Sequence, residues 1–594
     1  MKNKHQLMIA AATVPMVYLF TMKMLYGFFG IYLLYLPIWD YLIDFLNSGN
    51  APNWMIDFNN YAASQIYNVY KWPAGKLKIL VSLIAAVVVP CGVLLMLDLI
   101  SKHKTVEKNH LSGVKRVEAD EFFKIVQKYN RKNKRFRPGV NIHPKITMPV
   151  DAETEHIAVL GSTGAGKTST ILSPLVAQVL SRGDKVILFD IKGDFTEAFG
   201  NWKKCNLLAP WDERSVEWDL QKDVQSAEDC ELLADALVCD LTEEEKGESK
   251  TDFFKDQGKL IISAMLKTLF WDGQLTWQNI STFMDLDLLR GSEASPGLLA
   301  RYDECRPALE AIARDSDQTQ ATKTTLNQSI GKWIAQAARA FDGSRRGFSI
   351  REWIESPGGG VLLLRYDRRF KNFARAMCVA MSSLAIENAL VLPQKDNRIW
   401  LVMDELANFP AVPNLGAGLS LGRDRGLRCV FATQDITQLY SSYGKEKPHT
   451  FLNQCSNQIW MKINDHRNAK LGAESIGTRE VEIITKGTNA SQSAGRHSHG
   501  SNVSRTAKIE TTINEGELQT LKHSRDIKGG GSEAFIKLSG IPFTTLLRWP
   551  RQPLQKKYQN SVPANWINAR PKPVTPPVAD APAPDDLPML PSFD

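Results

Sequence analysis

Two long apolar runs stand out near the amino-terminal end of the chain. Residues 7–39 contain a single charged residue, Lys23, and residues 79–100 contain only Asp98. As a helix the second run is roughly 30 Å long, which is enough to cross one bilayer core. We predict two membrane spans, with both termini in the cytoplasm because lysines precede the first run and follow the second. A cleaved signal peptide is the alternative for the first run, but that run is too long and no clear cleavage site follows it.

Short apolar runs at wide intervals predict the strands of a buried sheet in the rest of the chain. Helix-compatible stretches such as 372–392 lie between them, and this alternation is typical of an α/β protein whose parallel sheet is covered on both faces. Residues 223–344 carry few strand signals and show apolar residues at helical spacing, so we predict an all-helical insertion there. The predicted strands are Ile157–Leu160, Lys185–Asp190, Val361–Leu364, Ile399–Asp404, Leu427–Thr433, Gln458–Lys462 and Ala534–Leu538.

A glycine-rich turn follows the first of these strands and leads into a helix-compatible stretch, residues 169–180. The sequence has the G-x-x-x-x-G-K-[ST] spacing of a phosphate-binding loop in its strand-then-helix context. Glycines allow successive backbone N–H groups to turn towards an anion, Lys167 is placed for the β- and γ-phosphates, and Thr168 for Mg²⁺. Pro174 is an objection to a regular helix, and a purely structural turn is the alternative. The predicted nucleotide-binding residues are Gly161, Ser162, Thr163, Gly164, Ala165, Gly166, Lys167 and Thr168.

Polar residues at the ends of two other strands suggest the remaining chemistry. Asp404 and Glu405 follow an apolar run, as in a Walker B strand, where the first carboxylate holds Mg²⁺ and the second activates water. Gln434 ends the next predicted strand and is a candidate sensor of the γ-phosphate, or alternatively a cap of the turn. Because ligands bind at the carboxyl ends of parallel strands, these residues are expected to meet the phosphate loop.

Composition adds little about partners, because 594 residues carry a formal net charge of only +8. The eight cysteines show no paired spacing, which indicates reduced thiols. Basic residues between 128 and 137 are equally compatible with anionic lipid or DNA phosphate and with a solvated face. Residues 487–504 are polar and glycine-rich, which predicts a mobile loop rather than a metal site at His497 and His499. The end of the chain is rich in proline and aspartate, which predicts a disordered tail.

The motifs together resemble the type IV secretion coupling proteins, the TraD-like conjugative ATPases, from the two spans to about residue 550. The most specific match runs from Asp404-Glu405-Leu406 through Gly422-Arg423 to Thr433-Gln434, and residues 189–195 resemble the family's Asp-x-Lys-Gly-Glu/Asp segment. Ala407 departs from the family pattern. No arginine lies in residues 151–156, where some relatives have one, so a second arginine finger is not expected.

The resemblance implies an ATP- and Mg²⁺-dependent DNA translocase. The implied protein is a homohexamer in the bacterial inner membrane, with a RecA-like P-loop motor domain. It binds DNA without sequence preference, contacts the relaxase and relaxosome proteins, and passes DNA to a type IV secretion channel. Lys167, Glu405, Gln434 and Arg423 are the implied catalytic residues, with Arg423 as an arginine finger that reaches a neighbouring subunit. A surface ion pair is the alternative role for the arginines around Asp424.

A receptor or gating ATPase for protein substrates is the alternative function. An ABC transporter is disfavoured because two spans are too few for a pore, and a chromosome-segregation motor because no separate DNA-reading domain follows. The predicted organisation has six segments. They are a membrane anchor with two spans and a short periplasmic loop (1–101), a basic juxtamembrane linker (102–150), the first part of the nucleotide-binding domain (151–222), the all-α domain (223–344), the second part of the nucleotide-binding domain (345–550) and a disordered tail (551–594).

Overall fold

The computed structural model describes residues 107–568, except residues 135, 239–249, 293–296, 314–316, 394–396 and 494–495. The two predicted membrane spans and the tail beyond residue 568 lie outside the described residues. The described residues divide into two compact units, residues 107–111 with 481–508, and residues 112–480 with 509–568. The second unit holds the predicted phosphate loop and the predicted nucleotide-binding segments apart from residues 481–508.

A ten-stranded sheet forms the centre of the second unit, in the order β2-β17-β16-β13-β5-β12-β11-β6-β10-β7. The seven strands from β13 to β7 are all parallel. The strands, in chain order, are β1 Glu107–Gly113, β2 Lys115–Arg116, β3 Pro138–His143, β4 Ile146–Pro149, β5 Ile157–Leu160, β6 Lys185–Asp190, β7 Cys205–Leu208, β8 Glu217–Trp218, β9 Gly347–Phe348, β10 Gly360–Arg365, β11 Ile399–Met403, β12 Leu427–Thr433, β13 Asn457–Trp460, β14 Thr478–Ser493, β15 Arg496–Thr511, β16 Ser532–Leu538 and β17 Ile541–Trp549.

The predicted α/β sheet is confirmed at its centre, and its parallel direction changes at one side. Every residue of β5, β6, β11 and β12 is buried, as expected for strands covered by helices on both faces. β16 pairs antiparallel with β13, and β17 pairs antiparallel with β16. The apolar run of β16 gave no information about direction, because direction depends on how the chain enters the sheet.

Helices cover the sheet and form a separate helical segment between β8 and β9. The helices are α1 Ala119–Lys132, α2 Val150–Glu153, α3 Ser173–Arg182, α4 Asp194–Phe199, α5 Leu220–Asp223, α6 Ala227–Val238, α7 Lys250–Trp271, α8 Trp277–Thr282, α9 Leu286–Arg290, α10 Arg306–Ala313, α11 Asp317–Leu326, α12 Lys332–Ala340, α13 Ile350–Glu355, α14 Lys371–Val391, α15 Leu415–Leu421, α16 Leu439–Tyr443, α17 Glu446–Gln454, α18 His466–Ile476, α19 Glu515–Thr520 and α20 Asn565–Asn568.

Helix α14 joins the helical segment to the sheet. It packs against α6, α12 and β10, and the Phe373 ring stacks 6.1 Å from Trp333 of α12. In the part of the chain that the structure describes, Arg368–Val391 is the one stretch long and apolar enough to cross a membrane, and 78% of its apolar window is buried inside the protein. We therefore describe α14 as a core helix of this unit.

The helix after the phosphate loop avoids the difficulty that Pro174 raised. Residues Thr168–Leu172 form one π-helical turn, and the α-helix begins only at Ser173. Pro174 then lies in the first turn of α3, where its missing N–H would have no partner inside the helix. The extra residue in the π turn thus lets a proline follow a phosphate loop without breaking the helix.

Two predictions about irregular segments were wrong. Residues 487–493 lie in β14 and residues 496–504 lie in β15, two paired strands, so neither stretch forms a polar loop. Residues 551–568, predicted as part of a disordered tail, form a segment that we call the C-terminal strap, which runs over the second unit. Its backbone donates from Gln552 to the Ser169 carbonyl and from Ala564 to the Trp211 carbonyl, each at 2.8–2.9 Å. These partners outside the strap satisfy backbone N–H groups that the strap does not pair within itself.

Candidate nucleotide-binding site

The phosphate loop leaves the carboxyl end of β5 between two neighbouring strands. The Gly161 N–H donates to the Thr433 carbonyl of β12 at 3.2 Å, and the Ser162 N–H donates to the Lys462 carbonyl just after β13 at 2.7 Å. These two hydrogen bonds attach the first residues of the loop to the strands on either side of β5.

Glycine is required at two positions of this loop. Gly164 and Gly166 have φ of +78° and +99°, in the region that side chains disfavour. A Cβ at Gly166 would also collide with the Ser532 hydroxyl, which donates to the Ala165 carbonyl at 2.6 Å. Ser532 is the first residue of β16, and sequence patterns gave no signal for its role as a brace of the loop.

The structure brings four of the predicted site residues together above β5 and β11. The Thr168 hydroxyl donates to Asp404 Oδ1 at 2.7 Å, and Lys167 Nζ lies 3.8 Å from Glu405 Oε2. Lys167 also donates to the Gly161 carbonyl of its own loop at 2.7 Å. Lys167 and Glu405 are only 7% and 5% exposed, so their charges face each other with little water between them.

Burial shifts the protonation equilibria of this cluster. Burial lowers the pKa of the Lys167 ammonium, while the charges of Glu405 and Asp404 act in the opposite direction. Burial also raises the pKa of the Asp404 carboxyl, opposed by the Thr168 hydrogen bond and by the charges of Lys192 and Lys167. In this poorly solvated site the opposite charges of Lys167 and Asp404 partly offset the cost of burying each group.

Gln434 connects the loop to the second carboxylate. Its side-chain amide donates to Glu405 Oε2 at 2.8 Å and its backbone N–H donates to Glu405 Oε1 at 3.1 Å. Its side-chain oxygen accepts from the Thr163 hydroxyl. The side chain of Gln434 therefore bridges the phosphate loop and the carboxylate.

Arg423 does not join this cluster within its own chain. It lies in a short 3-10 turn, Gly422–Arg425, and pairs with Glu155 at 2.6 Å with about half of its side chain exposed. Glu155 precedes β5, so Arg423 is at the opposite end of that strand from the phosphate loop. Sequence spacing alone did not reveal the ion pair with Glu155, because that pair joins residues 268 positions apart in the chain.

A cavity beside the loop was missed by the sequence analysis. It has a volume of about 830 Å³ and lies between Gly164, Gly166 and Ser169 on one side and residues 524–530 and Arg551 on the other. Three consecutive glycines, 529–531, all have positive φ and form part of the facing loop. This triple glycine was the available sequence signal of an unusual turn.

The residues of this site fit a magnesium nucleotide. The Thr168 hydroxyl and Asp404 carboxylate are the oxygen ligands that Mg²⁺ prefers. The Ser162 hydroxyl is buried and has no hydrogen-bond partner among the described residues, so it is available to a phosphate oxygen. A loop that follows a central parallel strand, ends in lysine and threonine and faces two carboxylates defines a P-loop nucleotide-binding protein.

The chain belongs to the family described as the type IV secretion-system coupling protein DNA-binding domain, whose sequence model matches residues 140–532. The resemblance inferred from the motifs is thereby confirmed. Coupling protein TraD of Escherichia coli (strain K12) is 22% identical over 377 residues, which are 62% of this chain and 50% of the relative. The chain thus spans about half the length of the curated relative it matches.

Solved structures of the bacterial conjugative coupling protein TrwB share this fold. An unbound form of TrwB that lacks its N-terminal segment is 21% identical, with a TM-score of 0.59 over 77% of this chain and 97% of that chain. TrwB in complex with ADP and Mg²⁺ is 21% identical, with a TM-score of 0.58 over 77% of this chain and 97% of that chain. TrwB with a non-hydrolysable ATP analogue is 20% identical, with a TM-score of 0.58 over 77% and 98%.

Proposed function

We propose that this chain is an ATP-driven coupling protein that links relaxase-bound DNA to a type IV secretion channel and pumps DNA during conjugation. The observation that carries the proposal is the cluster of Lys167, Thr168, Asp404 and Glu405 in a chain of this family. Family membership favours a DNA substrate, and the cluster supplies the residues that ATP hydrolysis requires.

Each residue of the cluster has a distinct proposed role. The loop N–H groups and Lys167 bind the phosphates, while Thr168 and Asp404 hold Mg²⁺. Bound Mg²⁺-ATP supplies the phosphoanhydride bond and the metal charge that offsets negative charge on the phosphates. Glu405 accepts the proton of the attacking water on a carboxylate oxygen, and Gln434 orients that carboxylate through its two hydrogen bonds.

Assembly into a homohexamer is proposed to complete the site. Arg423 lies away from the nucleotide site of its own chain and is half exposed, so it is available to a neighbouring subunit. An arginine supplied by the neighbour stabilises charge on the transferring phosphate and makes hydrolysis depend on assembly. Its ion pair with Glu155 is weak enough at the surface to exchange for that partner.

Residues 1–101 are proposed to anchor the protein in the bacterial inner membrane through two spans and a short periplasmic loop. The support is the pair of apolar runs and the lysines that flank them. The motor and the C-terminus then face the cytoplasm, where ATP and the relaxosome are found.

DNA-stimulated ATP hydrolysis is the direct test of this proposal. We expect single- or double-stranded DNA of any sequence to raise the hydrolysis rate of the full-length chain, and Lys167→Ala to abolish both hydrolysis and plasmid transfer. DNA binding should weaken steeply with salt because a translocase contacts phosphates rather than base edges. Hydrolysis stimulated by a secreted protein but not by DNA would instead support the receptor for protein substrates. Relaxase pull-down tests the proposed partner separately.

A further inference from the structure

The Asp-x-Lys-Gly segment after β6 is unexplained by the roles assigned so far. β6 lies next to β11, with Phe189 opposite Met403. One residue further along, Asp190 and Asp404 are therefore neighbours, and the loop that carries Lys192 begins beside the proposed Mg²⁺ ligand. Because both strands are parallel, this loop lies at the same edge of the sheet as the phosphate loop.

Asp190 holds this loop in shape and does not take part in the site. It is 2% exposed and accepts from the Gly193 N–H, the Thr196 N–H and the Thr196 hydroxyl at 2.6–2.7 Å. These bonds turn the chain sharply after Asp190 and start helix α4. Both oxygens of the carboxylate thus accept hydrogen bonds that fix the loop.

The C-terminal strap clamps the same loop from outside. The Asn560 amide donates to the Lys192 carbonyl at 3.4 Å, and Arg365 Nη1 donates to the Asn560 carbonyl at 2.8 Å. Gly193 has φ of +87°, and a Cβ there would collide with the Asn560 side chain. The loop is therefore held between a buried carboxylate and a distant part of the chain.

Lys192 is the side chain that this arrangement presents to solvent. It is exposed, and its ammonium has no hydrogen bond or ion pair with any residue that the structure describes. Lys192 follows Asp190 by two residues, and Asp190 is the neighbour of Asp404 across these two strands, so the backbone of Lys192 lies at the edge of the sheet that carries the carboxylates. An exposed ammonium whose backbone is fixed at this edge, and that has no ion-pair partner among the described residues, is suited to an anion that arrives from outside.

We propose that Lys192 is a second lysine of the nucleotide site, held by Asp190 and Asn560, whose ammonium binds the terminal phosphate of a bound nucleoside triphosphate. This inference rests on the proposed ATP-binding function. ADP lacks the terminal phosphate, so Lys192 discriminates between the substrate and the product. Because Asn560 belongs to the strap, displacement of the strap weakens this discrimination.

The test compares binding of fluorescent ATP and ADP analogues to the full-length chain at saturating Mg²⁺. We expect Lys192→Ala to weaken ATP binding about tenfold and to leave ADP binding unchanged, as the loss of one charged phosphate contact predicts. Lys192→Arg should retain most of the preference. Lys203→Ala is the matched control, because Lys203 is an exposed lysine on the same segment beyond α4. Asn560→Ala should reduce the ATP preference in the same direction but less.

The outcomes separate this inference from the function on which it rests. Failure of the wild-type chain to bind either nucleotide would refute both. If the wild-type chain binds both nucleotides and Lys192→Ala leaves the ratio of ATP affinity to ADP affinity unchanged, the role of Lys192 alone is refuted. The same conclusion holds if Lys192→Ala loses only the stimulation of hydrolysis by DNA. An unchanged ratio in Asn560→Ala would refute the clamping role of the strap.

Discussion

His156 provides a prediction in which pH is the perturbation. The residue lies directly before β5, is 1% exposed and has φ of +56°. The Cys429 N–H donates to its Nδ1 at 3.0 Å, so its proton is on Nε2, which donates to the Leu419 carbonyl at 2.8 Å. Burial lowers the pKa of His156 from 6.5 to about 4. The neutral imidazole therefore links the strand before the phosphate loop to the helix before Arg423.

The stability contributed by this histidine depends on pH in a defined direction. An unfolded chain protonates His156 below about pH 6.5, whereas the folded chain resists protonation until about pH 4. The stabilisation is complete above pH 6.5 and is lost as the pH falls towards 4. Two-state linkage gives a loss of about 2 kcal/mol at about pH 5, approaching about 3 kcal/mol below pH 4.

Chemical denaturation followed by tryptophan fluorescence measures this loss. The free energy of unfolding of the wild-type chain should fall by about 2 kcal/mol more than that of His156→Gln between about pH 8 and pH 5, because glutamine does not titrate. His449→Gln replaces an exposed histidine and should follow the wild type. Equal pH dependence of the wild type and His156→Gln would refute the assignment of a buried neutral imidazole.

Three further predictions concern the nucleotide site and the tail. Glu405→Gln should bind ATP normally but hydrolyse it about 10²- to 10⁴-fold more slowly, because the proposed base is lost while Asp404 remains, and hydrolysis at the native rate would contradict this role. Arg423→Ala should bind ATP but hydrolyse it poorly. Mixing it with Lys167→Ala subunits should restore part of the activity, because some junctions then combine an intact arginine with an intact nucleotide site. Mixed rings without any recovery would exclude the action of Arg423 on the neighbouring subunit. Truncation after residue 568 should leave ATP hydrolysis intact and lower plasmid transfer, because a proline-rich acidic segment can fold onto a partner and we propose a relaxosome protein as that partner. Unchanged transfer would indicate an inert tail.

The strap determines where the chain can be cut to test the tail. Removing residues after Val562 would also remove Ala564 and Trp566, which bond to the carbonyls of Trp211 and Pro210. Such a variant would lose contacts with the motor as well as the tail. A cut after residue 568 leaves these contacts in place and isolates the function of the tail.

The sequence by itself determined the central strands and the phosphate loop. Strands β5, β6 and β12 have the bounds that their apolar runs predict, because burial on both faces of a parallel sheet requires a continuous apolar run. The glycines, lysine and threonine of the loop are similarly local, since their spacing alone defines the cradle. These features depend on residues close together in the chain.

Only the tertiary structure decided how distant segments meet. Three contacts join residues far apart in sequence: Gln434 with Glu405, Arg423 with Glu155, and Ser532 with the phosphate loop. The strap shows the same limit, since it was predicted to be disordered together with the proline-rich tail that follows it, but Asn560 finds its partners on Arg365 and Lys192. Composition reports whether a segment can stabilise itself, whereas partners elsewhere in the chain determine whether it is ordered.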